Sequence, residues 1–249
     1  MKPLISIIVP FYKKKKYIDQ TIKSIVKQSY KNYELILVYD DLDKTDLPYL
    51  LKILRQIKKK KIIINKKNIG AGLSRNAGIL KAKGEFIAFI DADDIWKKNK
   101  LKKQLSFMLG NKINFSFTSY SIINNKNTVV KLIKAKKTID YDDLVKSCDI
   151  GLSTVMIKRD LLKKNKFSSI RTKEDYVLWL KLSRQNIKMM GVKECLVLWR
   201  KLNNSLSSPV FQRIIDAFYV YNNFLRFNFI KSVYYILIMS LNSFKKRYL

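Results

Sequence analysis

The first hundred residues alternate short apolar runs with longer amphipathic segments, and that rhythm predicts an α/β fold: a doubly wound, mostly parallel sheet flanked by helices. Three observations carry the prediction. Runs rich in β-branched residues recur at 4–9, 35–38, 62–64 and 86–90, as buried parallel strands require. Between them, residues 17–27, 47–59 and 72–81 space their apolar side chains as helices do. Polar residues then follow each run, where open α/β sheets bind ligands beyond the carboxyl ends of their strands.

Those strand-end residues are Pro10 and Tyr12, then Asp40 and Asp41, then residues 68–75, then the acidic run DADD at 91–94. Beyond residue 110 the pattern loosens. Residues 115–121, 129–133 and 154–157 read as mixed strands that extend the sheet and cover the cleft, with a short helix at 140–147. A further helix starts at Lys173 or Glu174 and runs to Gln185, with Val177, Leu178, Leu180 and Leu182 on its buried side. From Pro209 the chain changes character: Phe, Tyr, Ile and Leu interspersed with Arg and Lys read as two amphipathic helices separated near Asn228. No window there reaches the roughly 18 to 20 uninterrupted apolar residues of a spanning helix. Such a pair either lies at a membrane interface, with Lys245, Lys246 and Arg247 on anionic lipid, or closes over the domain's own core. The chain therefore divides into a main domain, 1–205, and a helical tail, 206–249.

Composition narrows the chemistry. The 249 residues, 47% hydrophobic, are enough to bury a core. A net charge of +32, from 51 Lys and Arg against 19 Asp and Glu, suggests an anionic counter-surface. The lysines are scattered without an aromatic-interleaved nucleic-acid module, so acidic lipid is favoured over nucleic acid. There is no histidine, which removes Ser-His-Asp hydrolysis and His-ligated metal sites. Cys148 and Cys195 are too few for a zinc cluster or a disulfide framework, and no cleavable signal peptide opens the chain, so a cytoplasmic location is expected. Catalysis must rest on carboxylates, a bound cation, or both.

Three constellations could supply it. Asp91 and Asp93, two apart on a segment leaving a strand, can converge on Mg2+ or Mn2+, which is commonly held by one or two carboxylates plus substrate phosphates. The plainer alternative is that they solvate a strand end and cap the helix after Trp96. In NIGAGLSRNAGILKAKGE, Arg75 stands where a dinucleotide fingerprint would place its third glycine, and the motif follows the third strand. Gly70 and Gly72 are read instead as a turn admitting a ligand to the backbone, with Arg75 offering a planar fork to a phosphate or base, or pairing with Asp40, Asp91 or Asp93. In KEDYVLWLKL, Glu174 and Asp175 open a helix, where negative charge is favourable on dipole grounds alone. Without histidine they are also the best general-base candidates, with the neighbouring acid and burial under Trp179 raising the pKa.

Together SIIVPFY, ELILVYDD, NIGAGLSRNAGILKAKGEFIAFIDADDIW and the KED of 173–175 make the chain resemble the family 2 glycosyltransferases, inverting enzymes of the GT-A fold, over roughly residues 3–200. The resemblance implies a nucleotide-diphosphate sugar donor, usually a UDP-sugar, with Mg2+ or Mn2+; the amphipathic tail suggests a glycan or lipid-linked acceptor at the inner face of a membrane, in surface polysaccharide synthesis. By position, the resemblance puts Tyr12 against the base, Asp40 or Asp41 at the uracil edge, Arg75 near the base or diphosphate, Asp91 on the ribose side, Asp93 on the metal and Asp175 on the acceptor hydroxyl. The chain departs from the family in having Lys13 where asparagine is common and YDDLDKTD where DDGST is frequent. The processive QxxRW signature is not found, LVLWRK at 196–201 being a faint echo, which implies single-sugar transfer. The rival readings are a glycoside hydrolase, whose paired carboxylates need no phosphate-directed arginine, and a non-catalytic basic protein that binds membrane or nucleic acid on the same fold.

Overall fold

A computed structural model describes residues 2–202 and 210–248, apart from the side chains of 210, 211 and 245–248. The boundary expected at 205/206 and the tail cations Lys245, Lys246 and Arg247 thus fall outside the described backbone and side chains, respectively. The expected rhythm is present: β1 (Ile5–Phe11), α1 (Lys15–Val26), β2 (Tyr33–Tyr39), α2 (Leu47–Ile53), β3 (Lys60–Ile64), α3 (Ala71–Lys81) and β4 (Phe86–Phe89). These strands are parallel in the order β3-β2-β1-β4. The remainder comprises β5 (Ile95–Trp96), α4 (Lys100–Gly110), β6 (Phe115–Ile123), β7 (Val129–Ile133), β8 (Thr138–Ile139), α5 (Tyr141–Lys146), β9 (Met156–Lys158), α6 (Leu161–Lys164), α7 (Glu174–Arg184), β10 (Met189–Arg200), α8 (Val210–Tyr219) and α9 (Phe229–Tyr248).

Strand β9 pairs antiparallel with β4 and β6 and so carries the sheet on to β6-β10-β5, giving a mixed second half. The central strands β1, β2 and β4 are covered on both faces, while the edge strand β3 is partly exposed. Ile5, Ile7 and Val9 pack with α1 and α4 through Ile18, Ile22, Leu101 and Leu105, while Ile8, Ile36 and Val38 join the cluster holding Tyr176, Leu178 and Trp179 of α7. Burial on both sides is why these strands read as continuous apolar runs.

Two local features differ from expectation. The helix predicted for 47–59 ends at Ile53 and closes with a 3-10 turn at Leu54–Gln56, because Ile57 is extended and β3 begins at Lys60. Asn99, not an aspartate of DADD, precedes α4, so helix capping does not account for the acidic run. Pro10 sits within β1 opposite Val38 on its β2 side, whereas pairing with β4 stops at Ile8, so its missing N–H breaks no ladder.

Candidate active site

The carboxyl ends of β1, β2 and β4 carry the predicted side chains to one region. Tyr12, 40% exposed, follows β1 with the Lys13 ammonium 5.3 Å from its ring centroid. Lys13 has φ +50, the left-handed conformation that asparagine tolerates better than lysine. Asp40 after β2 is a clamp: Oδ1 accepts from Asn65 Nδ2 (2.8 Å) and the Ile69 N–H (2.9 Å), and Oδ2 accepts from the Gly70 N–H (2.9 Å). Its carbonyl also accepts from Asn68 Nδ2. Asp41, equally buried, accepts from the Asp43 N–H at 3.3 Å. Only Asp40 thus orders the loop into α3, with Gly70 at φ +84.

Arg75, one turn into α3, is buried between two acids: Nη2 lies 2.8 Å from Asp91 Oδ1 and Nη1 lies 2.5 Å from Glu174 Oε1. Of the partners weighed for it, Asp91 is the one met, and Glu174 joins from α7. The two carboxylates hold the guanidinium charged more firmly than usual, against its burial. Phe167 lies across the guanidinium at 5.5 Å. Asn76 fixes that segment to α3, donating to the Phe167 carbonyl and accepting from its N–H. Gly72 departs from its expected role, since the space a Cβ would fill holds the chain's own Ser168 carbonyl (2.4 Å) and Glu174 Cγ (3.0 Å). Its missing side chain lets Glu174 reach Arg75.

The DADD segment divides into three environments. Asp91 meets Arg75. Asp93 faces Lys14, Nζ to Oδ2 2.8 Å, and its pKa is raised, first by burial, which outweighs Lys14, and then by Asp91. Asp94 is wholly buried and held by Ser153 Oγ (2.5 Å) and the Arg200 N–H (2.8 Å); burial and then Asp93 and Asp91 push it well up. Arg200 also donates Nε to the Asp93 carbonyl and Nη2 to Gln20, bracing the turn from β10. The faint echo in LVLWRK is thus a strut beneath the acidic run.

Asp175 keeps part of its surface and accepts from the Tyr176 N–H at 2.7 Å. Its pKa is pushed up to about 7, first by burial, then by Glu174, with Arg75 opposing and Asp91 adding to the rise. Trp179, expected over this acid, lies edge-on to Phe115 and Phe167 in the core. Arg75 thus ties Asp91 of the DADD run to Glu174, the neighbour of Asp175, so the two acidic motifs meet through one guanidinium. Asn65, Asn76, Lys14, Asp94, Ser153 and Arg200 were not singled out as site residues from sequence. Signals were available for two of them: Asp94 lies in the same acidic run, and Arg200 lies in LVLWRK, the faint echo of QxxRW.

Among the described residues no group of three Asp, Glu, Cys or His could hold a metal ion unaided. Asp91 and Asp93 offer carboxylate oxygens, the donor type a hard cation takes alongside substrate phosphates, with one oxygen of Asp91 engaged by Arg75 and one of Asp93 by Lys14.

The family model for glycosyl transferase family 2 matches residues 6–165, from β1 through α6. The chain belongs to this family. TuaG of Bacillus subtilis, a glycosyltransferase assigned by its name to teichuronic acid biosynthesis, is 36% identical to this family 2 enzyme over 248 residues, 99% of this chain and 98% of the relative. The Escherichia coli UDP-Glc:alpha-D-GlcNAc-diphosphoundecaprenol beta-1,3-glucosyltransferase WfgD is 38% identical over 236 residues, 94% and 91% of the two chains. Among solved structures, S. aureus TarS residues 1–349 with UDP-GlcNAc superposes with a TM-score of 0.70 at 20% identity, covering 88% of this chain and 66% of that one. A Pyrobaculum calidifontis mannosyltransferase in complex with GDP-Man and Mn2+ gives 0.68 at 14% identity, covering 92% and 66%. The family 2 chain thus spans nearly all of those curated relatives but about two thirds of these solved chains, whose likeness establishes the GT-A fold. Membership decides for a glycosyltransferase over the hydrolase and the non-catalytic basic protein.

Proposed function

We propose that this glycosyltransferase moves one sugar from a UDP-sugar to a hydroxyl of a lipid-linked glycan, with inversion, in surface polysaccharide synthesis at the cytoplasmic face of a membrane. The observation that carries the reading is the Arg75 bridge: its guanidinium lies 2.8 Å from Asp91 of the DADD run and 2.5 Å from Glu174, which sets Asp175, its pKa pushed up to about 7 by burial and Glu174, beside the acidic run. The names of the two curated relatives support the pathway and the lipid-linked acceptor, and the TarS complex supports a UDP-sugar donor.

Asp93, with Asp91, would hold Mg2+ or Mn2+; when bound, the ion neutralises charge on the departing diphosphate, a contribution of several kcal/mol. Tyr12 offers an exposed ring to the uracil. Asp40, its loop bonds made, keeps acceptor capacity on Oδ2 for a base N–H, and so is preferred to Asp41 as the uracil contact. Arg75 holds Asp91 and Glu174 in place from beneath the ribose and acceptor sides. Because Glu174 is committed to that ion pair, Asp175 is the acid that takes the proton. It accepts the acceptor hydroxyl's proton as the oxygen forms its bond to the anomeric carbon and the bond to the diphosphate oxygen breaks, which inverts the configuration. A base near its working pH contributes about 10² to 10⁴-fold.

The test is a screen of nucleotide sugars with Mn2+, reading thermal stabilisation and UDP release for wild type and Asp93→Asn. A UDP-sugar should stabilise and be turned over by wild type alone. Identical behaviour of the two proteins across all donors would remove Asp93 from the site.

A further inference from the structure

Helix α9 has two unlike faces. Its inner side packs on the domain: Met239 and Ser232 are buried, Tyr235 stacks on Tyr221 with ring centroids 5.8 Å apart, and Tyr235 and Ile236 join the main core cluster. Its outer side presents Ile230, Tyr234, Leu237 and Leu241, exposed by 79, 57, 58 and 62%. Their spacing of four, three and four residues puts them on one stripe of the helix. Soluble domains scatter exposed apolar side chains singly; a continuous stripe marks a contact surface. No helix of the described residues is long and apolar enough to cross a membrane, so a spanning role does not account for it.

Charge selects the occupant. From residue 217 to the end of the sequence there are five Lys and Arg and no Asp or Glu, on a chain of net charge +32. Two copies meeting through such a surface would bring like charges together, whereas an anionic bilayer complements both the stripe and the cations beside it. The inner face adds a link to the site. Lys173 Nζ lies 3.4 Å from Met239 Sδ, Thr172 Oγ1 donates to Asp216 of α8, and Asn242 Nδ2 donates to the Lys146 carbonyl at 3.0 Å. The loop leading into Glu174 and Asp175 is therefore seated directly on α9 and α8.

We propose that α9 lies flat on an anionic membrane with Ile230, Tyr234, Leu237 and Leu241 inserted among the lipids, fixing the proton-accepting side of the cleft one helix diameter, about 10 Å, from the headgroups. This rests on the proposed lipid-linked acceptor for its purpose: an acceptor sugar anchored in the bilayer would meet Asp175 without leaving the surface. The insertion itself requires no catalysis.

The experiment is vesicle flotation of the full chain, without donor, on phosphatidylglycerol mixed with phosphatidylcholine and on phosphatidylcholine alone. Wild type should float with the mixed vesicles and less with the neutral ones. The triple variant Ile230→Ser, Leu237→Ser, Leu241→Ser, with its melting temperature and UDP-sugar stabilisation unchanged, should bind roughly tenfold less or weaker still. Leu237→Trp, which leaves the packed face untouched, should bind more tightly than wild type. Equal flotation of the triple variant, no flotation of wild type, indifference to lipid charge, or a wild-type dimer that the triple variant dissolves would each overturn the proposal. A chain that floats but releases UDP from no donor would instead sink the donor reading and leave this one standing.

Discussion

The floor of the cleft and its rim treat carboxylates in opposite ways. On the floor, Asp40 is met by three N–H donors and Asp94 by a hydroxyl and a backbone N–H. On the rim, among the described residues, Asp93 pairs with the flexible Lys14 ammonium and Asp175 accepts from the amide of the next residue. An acid met by several fixed donors orders the chain, as Asp40 does while keeping one acceptor site on Oδ2; one held by a movable or minimal partner stays available to an ion or a proton. The first kind serves as struts and the second supplies the groups proposed to react, a difference hidden in the sequence, where all of them are Asp.

The largest effect expected from that division is on turnover. Asp175→Asn keeps the shape and removes the proton acceptor, so transfer should fall about 10³-fold, near 4 kcal/mol of barrier, with donor-induced thermal stabilisation retained. Wild-type kcat/KM should climb with pH through about 7, since the carboxylate is the working form and protonation below that value disables it. A flat profile, or an active Asn variant, would return Asp175 to the struts. Next comes Asp94→Ala, which takes from the Ser153 hydroxyl and the Arg200 N–H the acceptor they share in a buried place. It should cost about 3 kcal/mol of stability by denaturant unfolding. A neutral result would show that Asp94 is not the strut described.

Much of this was legible beforehand for a physical reason. Strand ends in a doubly buried parallel sheet are punctuated by polarity, so DADD, GAGLSR and KED declared their places through neighbours close in sequence. The roles within DADD were not legible, because Asp93 and Asp94 are alike locally. What parts them comes from Ser153 and Arg200, 59 and 106 residues away from Asp94. The purpose of Gly72 was hidden in the same way, since the atoms that need its bare Cα belong to residues 168 and 174. Membrane contact and core closure were alternatives for the tail, yet α9 packs one face on the core and exposes the other, because an amphipathic helix can pack one side while the opposite side stays apolar.

Gly72→Ala tests the seam between floor and rim. Its methyl would sit 2.4 Å from the Ser168 carbonyl, a backbone atom pinned nearby by Asn76, so the 168–174 segment has to shift. A loss of about 2 kcal/mol in stability is expected, with a larger fall in transfer than in donor affinity because Glu174 and Asp175 move together. Equal losses in both would mean that the seam serves donor binding as much as the acid pair.

The smallest effect concerns Lys14, the cation paired with Asp93 among the described residues. To admit a divalent ion, Asp93 must release an ammonium at 2.8 Å that is itself largely shielded from solvent. Lys14→Met removes that competitor, so Mn2+ titrated calorimetrically into the donor-free protein should bind about five- to tenfold more tightly, near 1 kcal/mol. The gain should vanish in the double variant with Asp93→Asn, because the two side chains act through one contact. Unchanged Mn2+ affinity in Lys14→Met would mean that the ion does not compete for that carboxylate, and Asp93 would then belong with Asp94 among the groups that only hold the turn.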